Sequence, residues 1–255
     1  MKIGLFIPCY MNELYPGASM ATLELLEKQG LDVEYPLEQT CCGQPMANTG
    51  CTKDMEELAR RFVKLFKKYD YIVGPSGSCV AMVRNNYAQF LAGDPDFEAL
   101  KVKTFEICEF LHDIIKPESF NVSFPYKVGL HNSCHSHREI GLGAPSEQNT
   151  PYFNKLEALL AKVDGIELVK LSRPDECCGF GGTFAITESA ISAFMGKDRI
   201  ADHLNAGAEV ITGADLSCLM HMDGLIRREG KPLRMMHIVQ ILNGEDPHGT
   251  SRTRR

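Results

Sequence analysis

The chain of 255 residues is poor in the features that mark membrane proteins, nucleic-acid binders and nicotinamide enzymes. No apolar run approaches the roughly 18–20 residues that a membrane-spanning helix needs. The apolar start, Lys2 to Cys9, is too short for a signal-peptide core and lacks a small-residue cleavage site. It reads as a first β-strand, and the chain is expected to be cytoplasmic. Excess positive charge is missing as well: 27 basic against 33 acidic residues leave a net −6, which argues against nucleic acid or an anionic membrane as the main partner. No Gly-x-Gly-x-x-Gly follows a strand and opens a helix, so a dinucleotide fingerprint is excluded. Closely spaced Cys-x-x-Cys pairs, the usual mark of structural zinc, are also absent. Low-complexity tracts do not occur, and 44% hydrophobic with 24% charged residues place the chain in the globular range.

Cysteine is in excess. Ten thiols occur, and in a reducing compartment, in a chain too long to need disulfide staples, they point to metal ligation or redox chemistry. Their positions repeat. Ile3-Gly-Leu-Phe-Ile-Pro-Cys9 matches Val128-Gly-Leu-His-Asn-Ser-Cys134, and Cys41-Cys42-Gly43 matches Cys177-Cys178-Gly179. Tyr71 to Cys79 then matches Val210 to Cys218. The offset grows from 125 to 136 to 139, so the second copy carries two insertions. This is a duplication.

Apolar periodicity places strands at 3–8, 31–35 and 71–74 and helices at 18–28 and from 52 onward in the first copy. Thr52 is the expected cap of the latter helix, whose apolar stripe is Leu58, Phe62, Leu65 and Phe66. The second copy predicts strands at 127–131, 166–171 and 209–212, with helices at about 150–162, 185–206 and 217–229. Each half closes on a short amphipathic stretch, Ile107 to Leu111 and Ile238 to Leu242. The expected fold is α/β, two cysteine-rich units with mostly parallel sheets and pseudo-twofold symmetry, each with its own core. The units are 1–120 and 121–246, joined near 116–121, with 247–255 as a basic C-terminal tail.

In such folds ligands sit at the C-terminal ends of strands. Cys9 and Cys134 end the first strand of each unit, while Cys79 and Cys218 follow a later one after a short loop. Adjacent side chains on a strand point to opposite faces, so each vicinal pair needs a sharp bend, which Gly43 and Gly179 supply. Four thiols from distant segments suit an iron–sulfur site better than zinc. Of the neighbouring groups, His135 or His137 can hydrogen-bond cluster sulfurs or move protons, His135 being the favoured support, and Arg138 can bind a carboxylate. His131 is read as structural, Cys51 and Cys108 as packing residues, and Met220, Met222, Met235 and Met236 as core. Gly179-Phe-Gly-Gly182 reads as clearance around the second site.

The order Cys…Cys-Cys-Gly…Cys, twice over residues 2–243, resembles the cysteine-rich CCG-domain family. That family includes the B subunit of heterodisulfide reductase and the iron–sulfur subunit of glycolate oxidase. The two-repeat length and the strings ending at Cys9, Cys79 and Gly182 are most similar to its lactate-utilisation A-type group. The resemblance implies an iron–sulfur electron-transfer subunit of an L-lactate-oxidising complex, rather than a complete enzyme, working with a ferredoxin-like B-type and a C-type partner. The fuller family pattern ends each repeat in Cys-x-x-Cys, but here the earlier position is Ser76 or Asp215. Four cysteines per repeat suffice for an ordinary [4Fe–4S] cluster, two in all, and Asp215 offers a carboxylate oxygen beside them. Two other readings stay open: a thiol–disulfide oxidoreductase using the vicinal pairs, or a scaffold with vestigial sites.

Overall fold

A computed structural model of the chain describes residues 1–249, without the side chain of Thr52, so most of the expected basic tail lies outside the described residues. The first unit runs β1 (Lys2–Leu5), α1 (Cys9–Leu14), α2 (Pro16–Lys28), β2 (Asp32–Glu34), α3 (Gln44–Asn48) and α4 (Thr52–Phe66). It continues with β3 (Tyr71–Gly74), α5 (Gly77–Ala81), β4 (Thr104–Glu106) and α6 (Ile107–Phe110). The second unit has β5 (Lys127–Leu130), α7 (Lys155–Leu160), β6 (Glu167–Leu168), α8 (Ser189–Asn205), β7 (Val210–Gly213), α9 (Leu216–Glu229), β8 (Arg234–His237) and α10 (Ile238–Leu242).

Each unit builds one four-stranded, all-parallel sheet, in the order β2-β1-β3-β4 and β6-β5-β7-β8. The registers correspond: Ile3 faces Val33 and Tyr71, as Val128 faces Leu168 and Val210. Gly4 and Gly129 sit at matching places because a Cβ there would lie 2.4 Å from the Tyr69 ring or 2.2 Å from the His203 ring. Ser76 and Asp215, equivalent by sequence, pair with each other in an antiparallel bridge between the units. A residue that contacts its own counterpart lies on a twofold axis, here a pseudo-twofold.

Several expected elements differ in extent. The helix expected over 150–162 is only Lys155–Leu160, because the Asn154 side chain accepts from the Leu156 and Glu157 amides and starts it there. The helix expected over 185–206 breaks at Glu188 (φ −120°), leaving the short turn Phe184–Thr187 before α8. Cys51, one residue before Thr52, occupies the N-cap position of α4. Strands β4 and β8 were not anticipated. Each passes directly into a helix, capped by Glu106 or His237, so no turn residues separate strand from helix.

The core also departs from expectation. One continuous apolar cluster spans both units, joining Leu5, Leu25 and Phe110 to Leu130, Leu159 and Ile241, so the units do not have separate cores. A second cluster belongs to the first unit alone and is built on Phe6, Phe62, Phe66 and Tyr87. Phe62 stacks on Phe66 at 4.4 Å and meets Phe6 edge-on at 4.9 Å, a favoured aromatic geometry.

Candidate metal centres

The same devices position the thiols in both units. Cys9 opens α1 after the short link Phe6-Ile7-Pro8 that follows β1, and Cys134 precedes a turn of π-helix, His135–Glu139. Cys79 and Cys218 each lie three residues beyond a helix cap. Ser76 Oγ accepts from the Cys79 amide at 3.4 Å, and the Asp215 carboxylate accepts from the Ser217 amide at 3.1 Å. Asp215 also accepts from the Ser217 hydroxyl, the Tyr10 hydroxyl and, across the interface, the Ser78 amide at 2.8 Å. So engaged, Asp215 caps a helix and ties the units together, and its oxygens are turned to donors of the protein.

At the vicinal pairs the backbone bends as the sequence requires. Gly43 (φ 85°) and Gly179 (φ 87°) are left-handed, and a Cβ on either would strike Met55 or Met195. The bend turns backbone amides onto sulfur. The Gly43 amide donates to Cys41 Sγ and the Gly179 amide to Cys177 Sγ, both at 3.3 Å, and the Phe180 amide donates to Cys178 Sγ at 3.5 Å.

The eight predicted thiols are brought together in two groups of four. Within each they are neighbours in series, Cys9 to Cys41 to Cys42 to Cys79, and Cys134 to Cys177 to Cys178 to Cys218. Cys42 and Cys9, beside Cys41, stabilise its thiolate and pull its pKa down to about 2. Cys134 and Cys178 do the same to Cys177. The flanking thiols move up in turn: the neighbouring Cys41 and burial raise Cys9 and Cys42, and the neighbouring Cys177 raises Cys134 and Cys178. In each group Cys41 or Cys177 is thus the thiol that ionises most readily, while the raised flanking thiols give up protons once a cation neutralises the charge. Cys218 is lowered to about 6, first by Cys178 and then by His131, against the cost of burial. Amide donors on sulfur, cradling glycines and four convergent thiols fit an iron–sulfur group.

The other sequence candidates fall in varied places. His135 Nε2 lies 3.2 Å from the Gln44 side chain of the other unit and 3.5 Å from Glu139. It lines an inter-unit cavity of about 300 Å³ with Gln44, Asn48 and Asn86. Arg138 is tied to Glu147 in an ion pair, and His137 is buried against Gly143. Cys51 is exposed, Cys108 is buried, and Met222 and Met236 lie in the core. Gly182 carries the second loop to within 3.3 Å of the Asn48 side chain, measured from the Cβ it lacks.

His131 was read as structural, and the fold gives it another setting. It is buried, and one of its ring nitrogens lies with Cys178 Sγ and Cys218 Sγ, all three within 4.8 Å of one another. The signal in the sequence was its alignment with Phe6: a polar ring where the first copy has an apolar one.

Two parallel α/β units that carry matching thiol groups at strand ends define a duplicated cysteine-rich protein. The cysteine-rich domain model CCG matches residues 3–84 and 128–223, and the chain belongs to this family, in its lactate-utilisation A-type group. It is similar to Lactate utilization protein A of Halalkalibacterium halodurans, 39% identical over 250 residues and covering 96% of this chain and 98% of that one. That of Geobacillus thermodenitrificans is 40% identical over 247 residues, covering 95% and 99%. A crystal structure of a hypothetical protein from Helicobacter pylori shares the fold, with TM-score 0.57 and 11% identity. The match covers 94% of this chain and 48% of that one, so this chain spans about half its length. Among the described residues no helix is long and apolar enough to cross a membrane.

Proposed function

We propose that the protein serves lactate utilisation as a cytoplasmic iron–sulfur electron-transfer subunit of an L-lactate-oxidising complex. One [4Fe–4S] cluster is assigned to Cys9, Cys41, Cys42 and Cys79 and a second to Cys134, Cys177, Cys178 and Cys218. The observation that carries this reading is the repeated group of four thiols, each bent at a left-handed glycine whose amide donates to sulfur. Such clusters, when bound, take up and pass on electrons one at a time. The protein's part is to hold the sulfurs, to donate hydrogen bonds that stabilise added negative charge, and to shield the buried Cys42, Cys79 and Cys178 from water. Oxidising a 2-hydroxy acid by hydride transfer calls for a flavin or nicotinamide, for which this chain has no fingerprint, so that step is assigned to a partner. The partners are a ferredoxin-like B-type subunit and a C-type subunit. The Cys-Cys-Gly loops are assigned to the B-type contact, together with exposed Ile186 and Phe194, close in sequence to the second.

The test is anaerobic purification and reconstitution, with iron and sulfide counted per chain. Cys42→Ser is expected to remove about half the iron. Unchanged iron would refute the ligand assignment. A colourless, iron-free protein whose vicinal thiols cycle to disulfides would favour the thiol–disulfide reading, which the low pKa of Cys41 and Cys177 also suits. Fast L-lactate turnover by the isolated chain with an artificial acceptor would place the substrate centre here instead.

A further inference from the structure

The two thiol groups do not have the same surroundings. Phe6 and His131 are true counterparts: the Phe6 amide donates to the Val73 carbonyl at 2.9 Å, and the His131 amide to the Thr212 carbonyl at 2.7 Å. From this shared backbone position Phe6 enters the aromatic cluster that contains Cys42 and Cys79. His131 instead brings a ring nitrogen within 4.8 Å of both Cys178 Sγ and Cys218 Sγ.

Neither ring nitrogen of His131 has a hydrogen-bond partner other than these sulfurs among the described residues, although the side chain is 1% exposed. A fold retains a buried polar group where something satisfies it, and the two sulfurs are what His131 is set against. Two sulfurs and an imidazole nitrogen within 4.8 Å suit the donor shell of one metal atom. Tetrahedral bonds of about 2.3 Å to sulfur put neighbouring donors about 3.8 Å apart. Among the described residues no other His, Cys, Asp or Glu trio comes this close, the first thiol group included.

We propose that His131 is a metal ligand of the second centre beside Cys178 and Cys218, a fifth donor to that group of thiols, so that this centre is mixed sulfur–nitrogen while the first is all-sulfur. The proposal rests on the reading of the thiol groups as metal centres.

The probe is ¹¹³Cd²⁺, loaded anaerobically into the reduced full-length chain with ¹⁵N-labelled histidine and read by NMR. Two cadmium resonances are expected, one of them coupled to a single imidazole nitrogen. In Cys42→Ser the uncoupled resonance disappears and the coupled one stays. In His131→Phe, which copies the first unit, the coupling vanishes and cadmium affinity at that site falls about tenfold or more. The wild-type coupling needs no variant, so a misfolded substitution does not decide the matter. Cadmium bound at the second group without imidazole coupling, or coupling that survives in His131→Phe and is lost in His135→Phe, overturns the proposal. No cadmium at the second group also overturns it. Failure of the iron–sulfur reading shows up separately: iron and sulfide stay unbound after reconstitution while cadmium still reports the His131 coupling.

Discussion

The two units share strand order and thiol placement but differ in what lies behind the thiols. In the first, the matching strand and helix contribute Phe6, Phe62 and Phe66, a dry aromatic wall. In the second, the same elements contribute His131, Arg199, Asp202 and His203, all buried. Arg199 pairs with Asp202 at 3.0 Å, and the His131 and His203 rings lie 6.5 Å apart. A duplicated scaffold thus keeps its backbone and sulfur ligands while one copy exchanges apolar packing for polar groups. Burial has opposite effects in the two walls: apolar rings gain from it, whereas charges and imidazoles need partners.

The largest effect concerns the shared core. Residues 1–120 expressed alone are expected to show no cooperative unfolding transition, because Leu5, Leu25 and Phe110 lose the second-unit side chains that cover them. Chemical denaturation followed by circular dichroism tests this, and a sharp transition from the isolated half would restore separate cores.

Next in size are single substitutions that set the walls against each other. Phe62→Ala is expected to cost about 3–5 kcal/mol through the cavity it leaves. Asp202→Ala should cost a similar ~3–5 kcal/mol for a different reason, the buried Arg199 charge left unpaired. Replacing Arg199 and Asp202 together by Met and Leu should recover much of that loss. If the double variant is no more stable than Asp202→Ala, the polar wall is not held by this pair.

The response to pH separates the units further. Burial lowers His203 from 6.5 to about 2, so below pH 6.5 the unfolded chain binds a proton that the folded one refuses. Stability therefore falls with acidification, by at most about 1.4 kcal/mol per pH unit for one group, and His203→Phe should flatten that limb. At the matching caps, burial lowers His237 to about 4 but raises Glu106 to about 8. Glu106 then acts in the opposite direction: its contribution is full below pH 4.5 and is lost as pH rises toward 8. Glu106→Gln should flatten the alkaline limb alone. Melting temperatures across pH 5–8 check both, and limbs that exchange places would refute the assignment.

The smallest effect is expected at the bridge between units. Asp215→Ala removes the cap of the helix carrying Cys218 and should cost about 0.5–2 kcal/mol. Asp215→Ser, which restores the residue type at Ser76, should recover part of it.

Much of this was legible in the sequence because duplication wrote it twice. Two vicinal pairs, two Ile- or Val-Gly-Leu openings and two Val-Gly or Thr-Gly strand ends could be aligned by eye. The short strands β4 and β8 could not, since three- and four-residue strands that run straight into helices show no period of their own. The break at Glu188 was likewise hidden within an apolar pattern that reads as one helix. His131 was visible as a difference from Phe6, but a lone histidine in an apolar strand is most often structural, and nothing in its own segment names Cys178 or Cys218 as neighbours.

By itself the sequence determined the duplication, the parallel α/β character and which cysteines belong together, because local periodicity and repeated spacing need no knowledge of distant contacts. Tertiary structure alone decided that the units share one core, that Ser76 meets Asp215 on the pseudo-twofold, and that a histidine 47 residues before Cys178 and 87 before Cys218 lies beside their sulfurs. An amphipathic face shows that a surface must be buried, but only packing chooses its partner.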